Sequence, residues 1–530
     1  MFKSCNSTAQ TFPDVAIEAA AWRGDHPAVV EGARDRVITY AELVRDMRRA
    51  AAGFVAAGLA SGDRVAIWAH NGIDWIVACL GVHAAGGIVV PLNTRFKAME
   101  AAYILERSRA RFLVHSRSFL GSDYRAMVET LDLPELERLI AIPTKEAATN
   151  EWEEFLAAGA ADAAAVAEAE MRLQALRPED VSDIMFTSGT TGAPKGVVTN
   201  HGQNVRTYRA WVAATTLCAD DRYAMIWPFF HCSGYKSGWL CSLIAGSTLY
   251  PQTQLDTPAL VRLIAAEKIS VLPGPPTLFQ SLLASPEARS GHLQSLRVTV
   301  TGATMVAPSL IESIRDDLGM EAIFAGYGLT ETCGTATMTS AEDRPEVVVT
   351  SPGKAIEGLE IAAMDSGGQV LAPGLEGEIV VRGHNVMLGY FEDPEATAEA
   401  IDAEGWLHSG DIGTVDERGY LVITGRKKDI YIVGGFNCYP AEIEDMMLRH
   451  PAVAEVAVIG MKDERLGEVG KAYVILDPAA SPVSEPDLIA WCRDAMANFK
   501  VPRAIVFTAD LPRTATGKVQ KFRLQNGEFG

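Results

Sequence analysis

Two apolar runs, Arg64-Val65-Ala66-Ile67-Trp68 and Gly87-Ile88-Val89-Val90-Pro91, flank a helix-patterned stretch over residues 74–80, and this alternation constrains the fold most. Such runs read as strands buried on both faces, and parallel strands of that kind need helices to cross between them. The pattern extends from Pro13 to about Arg111. It returns in Val271-Leu272-Pro273, Val298-Thr299-Val300-Thr301 and Ala322-Ile323-Phe324-Ala325, each entering a turn that contains Gly or Pro. The expected fold class is α/β, with ligands gathering where strand ends converge. Residues 145–170, rich in Ala and Glu, have little to bury and read as a surface excursion. Beyond Gly353 the texture becomes glycine-punctuated β-structure, as in Gly377-Glu378-Ile379-Val380-Val381-Arg382-Gly383. After Lys428 a compact α+β unit is expected, with helices over 441–450 and 485–497 and strands over 456–459 and 472–475.

A chain of 530 residues is too long for one core, and about three or four folding units are expected. Its net charge of −20 argues against nonspecific binding to nucleic acid or to anionic membranes, so local basic residues must do any anion recognition. No window is long and apolar enough to cross a bilayer, and the first residues lack the apolar core of a signal peptide. The expected location is the cytoplasm. The eight cysteines form no CxxC pair, and Cys232, Cys333 and Cys438 read as small space-filling side chains.

Chemistry concentrates in a few motifs. Thr187-Ser188-Gly189-Thr190-Thr191-Gly192-Ala193-Pro194-Lys195-Gly196 packs three glycines, four hydroxyls and one lysine into ten residues. Glycine admits close backbone approach, hydroxyls add donors and lysine adds charge, a combination that suits a polyphosphate. The spacing is not that of the common phosphate loop, and a flexible Gly/Thr hairpin is the lesser alternative when the segment is read alone. Glu331, in Tyr327-Gly328-Leu329-Thr330-Glu331-Thr332, suits a magnesium ion shared with nucleotide phosphates, although a Thr-Glu helix start has the same appearance. Asp411, after Trp406-Leu407-His408-Ser409-Gly410, suits a ribose or a solvent-facing turn. Gly425-Arg426-Lys427-Lys428-Asp429 reads as a solvated loop or a hinge. Lys518 lies on a glycine-containing loop near the C-terminus.

In this order, and together with Gly86-Gly87-Ile88-Val89-Val90-Pro91-Leu92, these motifs resemble those of the adenylate-forming superfamily. That superfamily comprises acyl-CoA synthetases, adenylation domains of peptide synthetases, and luciferases. The resemblance spans nearly the whole chain. It implies a large N-terminal region, residues 1–427, of two packed αβ layers plus a β-barrel. It also implies a small mobile α+β domain over residues 429–530, hinged at Lys428. The implied reaction has two halves: a carboxylate attacks the α-phosphate of Mg·ATP to give acyl-AMP and pyrophosphate, then a thiol displaces AMP.

On that resemblance Lys518 bridges the carboxylate and the α-phosphate, and Thr330 reaches the α-phosphate. Thr187, Ser188, Gly189, Thr190, Thr191, Gly192 and Lys195 hold the outer phosphates, and Glu331 holds the magnesium ion. Asp411 and Arg426 bind the ribose, while Gly302, Ala303, Gly326 and Tyr327 enclose the adenine. Gly434 and Gly435 meet the pantetheine arm of coenzyme A after rotation about Lys428, and acetylation of Lys518 would remove the charge used in the first half.

The motif Pro228-Phe229-Phe230-His231-Cys232-Ser233-Gly234-Tyr235-Lys236 matches the family's substrate gate, with His231 as gate and with His231, Tyr235, Lys236 and Gly328 in the acyl pocket. Lys236 facing a substrate oxygen and Lys236 at the surface stand open. Amino-acid-activating relatives carry an Asp near this gate to pair with an α-ammonium; none stands in Phe229–Tyr235, which favours a simple carboxylic acid. No carrier domain follows Lys518, which favours free coenzyme A; loading of a carrier-protein thiol is the alternative. The gate, with Leu272-Pro273-Gly274-Pro275-Pro276-Thr277 and Thr301-Gly302-Ala303-Thr304, is similar to bacterial acyl-CoA ligases of steroid catabolism, which act on a bicyclic propanoate. Fatty and aryl acids compete as substrates. Monomer and homodimer both remain open.

Overall fold

The computed structural model describes residues 8–530 except 33, 188–193, 291, 303–307, 428, 434–435, 464, 479, 515–517, 528 and 530. A seven-stranded sheet organises the first half of the chain. Its order is Gly389–Tyr390, Lys195–Asn200, Val181–Thr187, Ile88–Pro91, Arg64–Trp68, Ala110–Ser116, Arg138–Ile142. The last five of these run parallel, and the two at the other edge are antiparallel. Val65, Ala66, Ile67 and Trp68 are wholly buried, as their uninterrupted apolar run requires.

The helix Ile73–Ala84 is buried at every position. One of its neighbours is the helix Tyr40–Ala56, closed at its start by a Thr39–Glu42 capping box; on another side Trp75 meets the rings of Phe229, Tyr235 and Trp239. An apolar helix hidden all round is the physical seam between two αβ layers. Residues 145–170, expected as a surface excursion, instead supply the helices Glu151–Ala161 and Ala163–Ala175, which pack on Tyr40–Ala56. Trp152 and Leu156 are buried there. Gly159 comes so close to Gly53 that a Cβ on Gly159 would lie 2.2 Å from the Gly53 nitrogen.

The second layer joins Arg36–Thr39, Pro27–Glu31, Thr248–Pro251 and Arg222–Met225 to Val298–Gly302, Ala322–Tyr327, Thr337–Met338 and Lys354–Ala355. Val271 stitches the two sets together, bridging Tyr223 on one side and Val298 on the other. The expected strand Val271-Leu272-Pro273 thus reduces to one pairing residue. Leu359–Met364, Gly377–Gly383, Leu407–Val415 and Leu421–Arg426 form a four-stranded antiparallel sheet in the region expected as the barrel. Beyond it, Tyr431–Val433, Phe436–Cys438, Val453–Asp463, Gly467–Leu476 and Ala504–Phe507 make a separate sheet under the helices Pro440–Leu448 and Glu485–Ala495. Tyr431, Ile443, Met447, Val458, Val474 and Leu488 fill that core.

Candidate functional site

Thr187 ends its strand opposite Lys195, the first residue of the antiparallel partner. The Gly/Thr segment therefore joins two antiparallel strands, and the helix His201–Ala214 begins only after the second. Ser188, Gly189, Thr190, Thr191 and Gly192 lie outside the described residues. Lys195 places its ammonium over the Tyr390 ring, 5.1 Å from the centroid, and the Tyr390 hydroxyl donates to Glu331 Oε1 at 3.0 Å. Tyr390 thus ties together two candidate residues far apart in sequence. Nothing in its own short context, Gly389-Tyr390-Phe391, singled it out.

Gly302 and Gly326 sit directly opposite each other near the carboxyl ends of neighbouring parallel strands, where open α/β sheets receive ligands. Ala303 lies outside the described residues. The Tyr327 hydroxyl donates to Asp411 Oδ2 at 2.6 Å, and Arg426 Nε lies 2.8 Å from Asp411 Oδ1. Asp411 is almost fully buried. A bulge in Leu407–Val415 sets this up: the register against Gly377–Gly383 jumps between Glu378 and Val380, and Gly410 takes φ +70. Bulges of this kind re-aim side chains. Here the bulge turns the Gly410 N–H onto Glu378 at 3.1 Å, just before Asp411 in the chain.

His231 caps the short turn Cys232–Gly234, its Nδ1 accepting from the Ser233 N–H at 3.2 Å. That bond fixes the tautomer: in the neutral ring the proton resides on Nε2, which is left as a donor. Burial, then the charges of Lys518 and Lys236, push the imidazole down to about 4. The Lys518 N–H donates to Thr514 Oγ1 at 3.1 Å. Thr330 hydrogen-bonds the Cys232 thiol, which burial pushes up to about 11, so Cys232 is an inert filler as expected.

Two acyl-pocket expectations, Lys236 and Tyr235, need correction. Lys236 is neither at the surface nor facing a pocket: it is fully buried, with Nζ 2.9 Å from Asp183 Oδ1 and 3.2 Å from Thr199 Oγ1. Burial opposes its charge, but Asp183 outweighs that and raises the ammonium above its ordinary range. Ser182 and Asn204 complete the cage around Asp183. A lone Asp inside an apolar strand was the sequence signal for this pair. Tyr235 belongs to the core, fully buried with its ring stacked on Trp239. At Gly328 a Cβ would lie 2.5 Å from the Gly334 carbonyl oxygen, so no larger residue fits there without a shift. Lys428, Gly434 and Gly435 lie outside the described residues.

Comparison with known proteins matches residues 17–391 to the AMP-binding enzyme family and residues 442–518 to the AMP-binding enzyme C-terminal domain. A 3-[(3aS,4S,7aS)-7a-methyl-1,5-dioxo-octahydro-1H-inden-4-yl]propanoyl:CoA ligase of Rhodococcus jostii (strain RHA1) is 45% identical over 96% of this chain and 97% of its own length. The protein of the same description from Mycobacterium tuberculosis (strain ATCC 25618 / H37Rv) is 46% identical over 94% of this chain and 96% of its own. Among solved structures, ATP-bound MatB from Rhodopseudomonas palustris superposes with a TM-score of 0.87 at 29% identity, covering 97% of this chain and 98% of that one.

Proposed function

Because the chain belongs to the AMP-binding enzyme family, we propose that it is an ATP-dependent acyl-CoA synthetase whose acid is a bicyclic propanoate derived from a steroid. The acid attacks the α-phosphate of ATP, releasing pyrophosphate and leaving acyl-AMP; the thiol of coenzyme A then displaces AMP and gives the thioester. The observation that carries the reading is the cluster of Lys195, Tyr390 and Glu331, a cation and a carboxylate tied through one phenol beside the Gly/Thr segment. Lys518 of the small unit, whose charge lowers His231, would add a second cation where two anions, a carboxylate and a phosphate, must be brought together.

Each residue's part follows from charge and donors. Lys518 neutralises the carboxylate and α-phosphate as they approach, and Thr330 adds a hydroxyl donor. The neutral Nε2–H of His231 donates to the acid without competing for its proton. Lys195, steadied by Tyr390, faces the outer phosphates with the loop from Thr187. Asp411 has acceptor capacity beyond its two partners, which suits ribose hydroxyls, and Gly302 and Gly326 leave room for a flat base. Glu331 fits a magnesium ion: it is a hard oxygen donor, held by Tyr390 through one oxygen. Such an ion, shared with the phosphates, would neutralise their charge. The chain is divided at Lys428, and rotation there withdraws Lys518 and brings Gly434-Gly435 toward the pantetheine arm. No helix among the described residues is long and apolar enough to cross a membrane, and ATP and coenzyme A as co-substrates favour the cytoplasm.

Support for the acid comes from the two ligases named above, both more than 40% identical along almost their whole length. Replacing Lys518 by Ala should reduce acid-dependent pyrophosphate release by at least about 100-fold while leaving thioester formation from supplied acyl-AMP largely intact. Equal loss in both half-reactions would overturn the division of labour. Run on a panel of bicyclic propanoates, medium-chain fatty acids and aryl acids, with and without coenzyme A, the same assay should rank the bicyclic acids first.

A further inference from the structure

Arg426 and Lys427 immediately precede the proposed hinge, and each is held by a carboxylate of the four-stranded antiparallel sheet. Arg426 is held by Asp411. Lys427 donates from Nζ to Glu378 Oε2 at 3.2 Å, and its backbone N–H donates to the Gly410 carbonyl at 2.8 Å. Glu378 is itself fixed from two other sides: its Oε1 accepts the Gly410 N–H at 3.1 Å, and its Oε2 faces His408 Nδ1 at 3.1 Å. The carboxylate is mostly buried. Burial alone would raise it, but His408 and Lys427 outweigh that and hold it below its usual range. On the other side, Tyr431 is anchored in the core of the small unit.

We propose that Glu378 is a positioning residue for the thioester half of the reaction: by clamping Lys427 it ends the rigid body at that residue and confines rotation to Lys428. A hinge is sharp only if its flank is immobile. With the clamp lost, rotation would spread over several bonds and the small unit would no longer stop in one defined second pose. The pose seen here has independent support, since Tyr439 packs on Gly425 and the helix Pro440–Leu448 packs on the strand Leu421–Arg426. The first half-reaction therefore depends less on the clamp. This inference rests on the hinge reading above.

Two variants test it, each assayed for acid-dependent pyrophosphate exchange and for thioester formation from supplied acyl-AMP. Glu378→Gln and Lys427→Met should each slow thioester formation about 10-fold, with exchange within about threefold of the parent, and Lys427→Arg should restore the thioester rate. Lys427 is exposed, so its variant folds even if the glutamate variant does not. Equal losses in both halves, or parental rates in both variants, would overturn the clamp. Lys428→Pro separates it from the hinge: parental thioester formation there would overturn hinge and clamp together. A block in Lys428→Pro alongside parental behaviour of the other two would overturn the clamp alone.

Discussion

Lys236 and Asp183 form, among the described residues, the one ion pair whose side chains are both fully buried. Removing one partner of such a pair strands a charge in a medium that cannot solvate it. Lys236→Met should therefore cost about 3–5 kcal/mol, read as a lowered urea midpoint. Asp183→Asn combined with Lys236→Met should cost clearly less, because the amide oxygen still accepts from Ser182 or Thr199 and no charge remains. An equally large loss in the double variant would mean that shape, not charge, governs the site. Asp183 drew no notice in the sequence, although a carboxylate in the strand Val181–Thr187 is unusual, and nothing there pointed to its partner. Lys236 lies in a distant motif whose resemblance pointed to substrate, and only the fold reveals that its ammonium is already taken.

Strands and helices were legible where local signals agree. Gly377–Gly383 and Arg64–Trp68 lie where the apolar runs predict, and Glu485–Ala495 ends within two residues of expectation. The failure at residues 145–170 has a physical cause. Glu151–Ala161 docks through a narrow contact of small residues, Gly159 on Gly53, helped by Trp152 and Leu156. It presents no broad apolar stripe, so its composition resembles that of an exposed helix. Gly159→Ala would drive a methyl into backbone, costing about 1–3 kcal/mol or more. Gly53→Ala would meet the Phe155 ring at 2.7 Å, a side chain able to shift. Thermal denaturation should rank Gly159→Ala as the more damaging; the reverse order would mean that the helix backbones part easily and the ring does not.

For the whole molecule, seven of the ten histidines are shifted below their ordinary value, burial being the leading cause in each. His83 and His201 are completely buried; His83 is lowered to about 4 and His201 lies well below its ordinary value. In the unfolded chain such rings titrate near pH 6.5. Their contribution is complete above that pH. As the pH falls toward 4, the unfolded chain takes up protons that the folded one refuses, and each ring then costs up to about 1.4 kcal/mol per pH unit. The thermal midpoint should fall steadily from pH 7 to pH 5, and a flat profile would show that these rings gain charge without unfolding.

The candidate site was legible as motifs but not as a place. Lys195, Tyr390 and Glu331 meet only because a short edge strand, Gly389–Tyr390, returns to the first sheet.

The Gly/Thr segment joins two antiparallel strands and the next helix starts only at His201, so the segment does not lead straight into a helix N-terminus of the kind that binds phosphate. On the proposed reading, the scaffold supplies Lys195 and the loop from Thr187, while the rest of the grip on the triphosphate comes from Lys518 and a cation that swing in or arrive. Such a grip weakens as soon as those visitors depart. Discharge of the spent diphosphate is then easy, and turnover is exposed to ionic strength at its opening step.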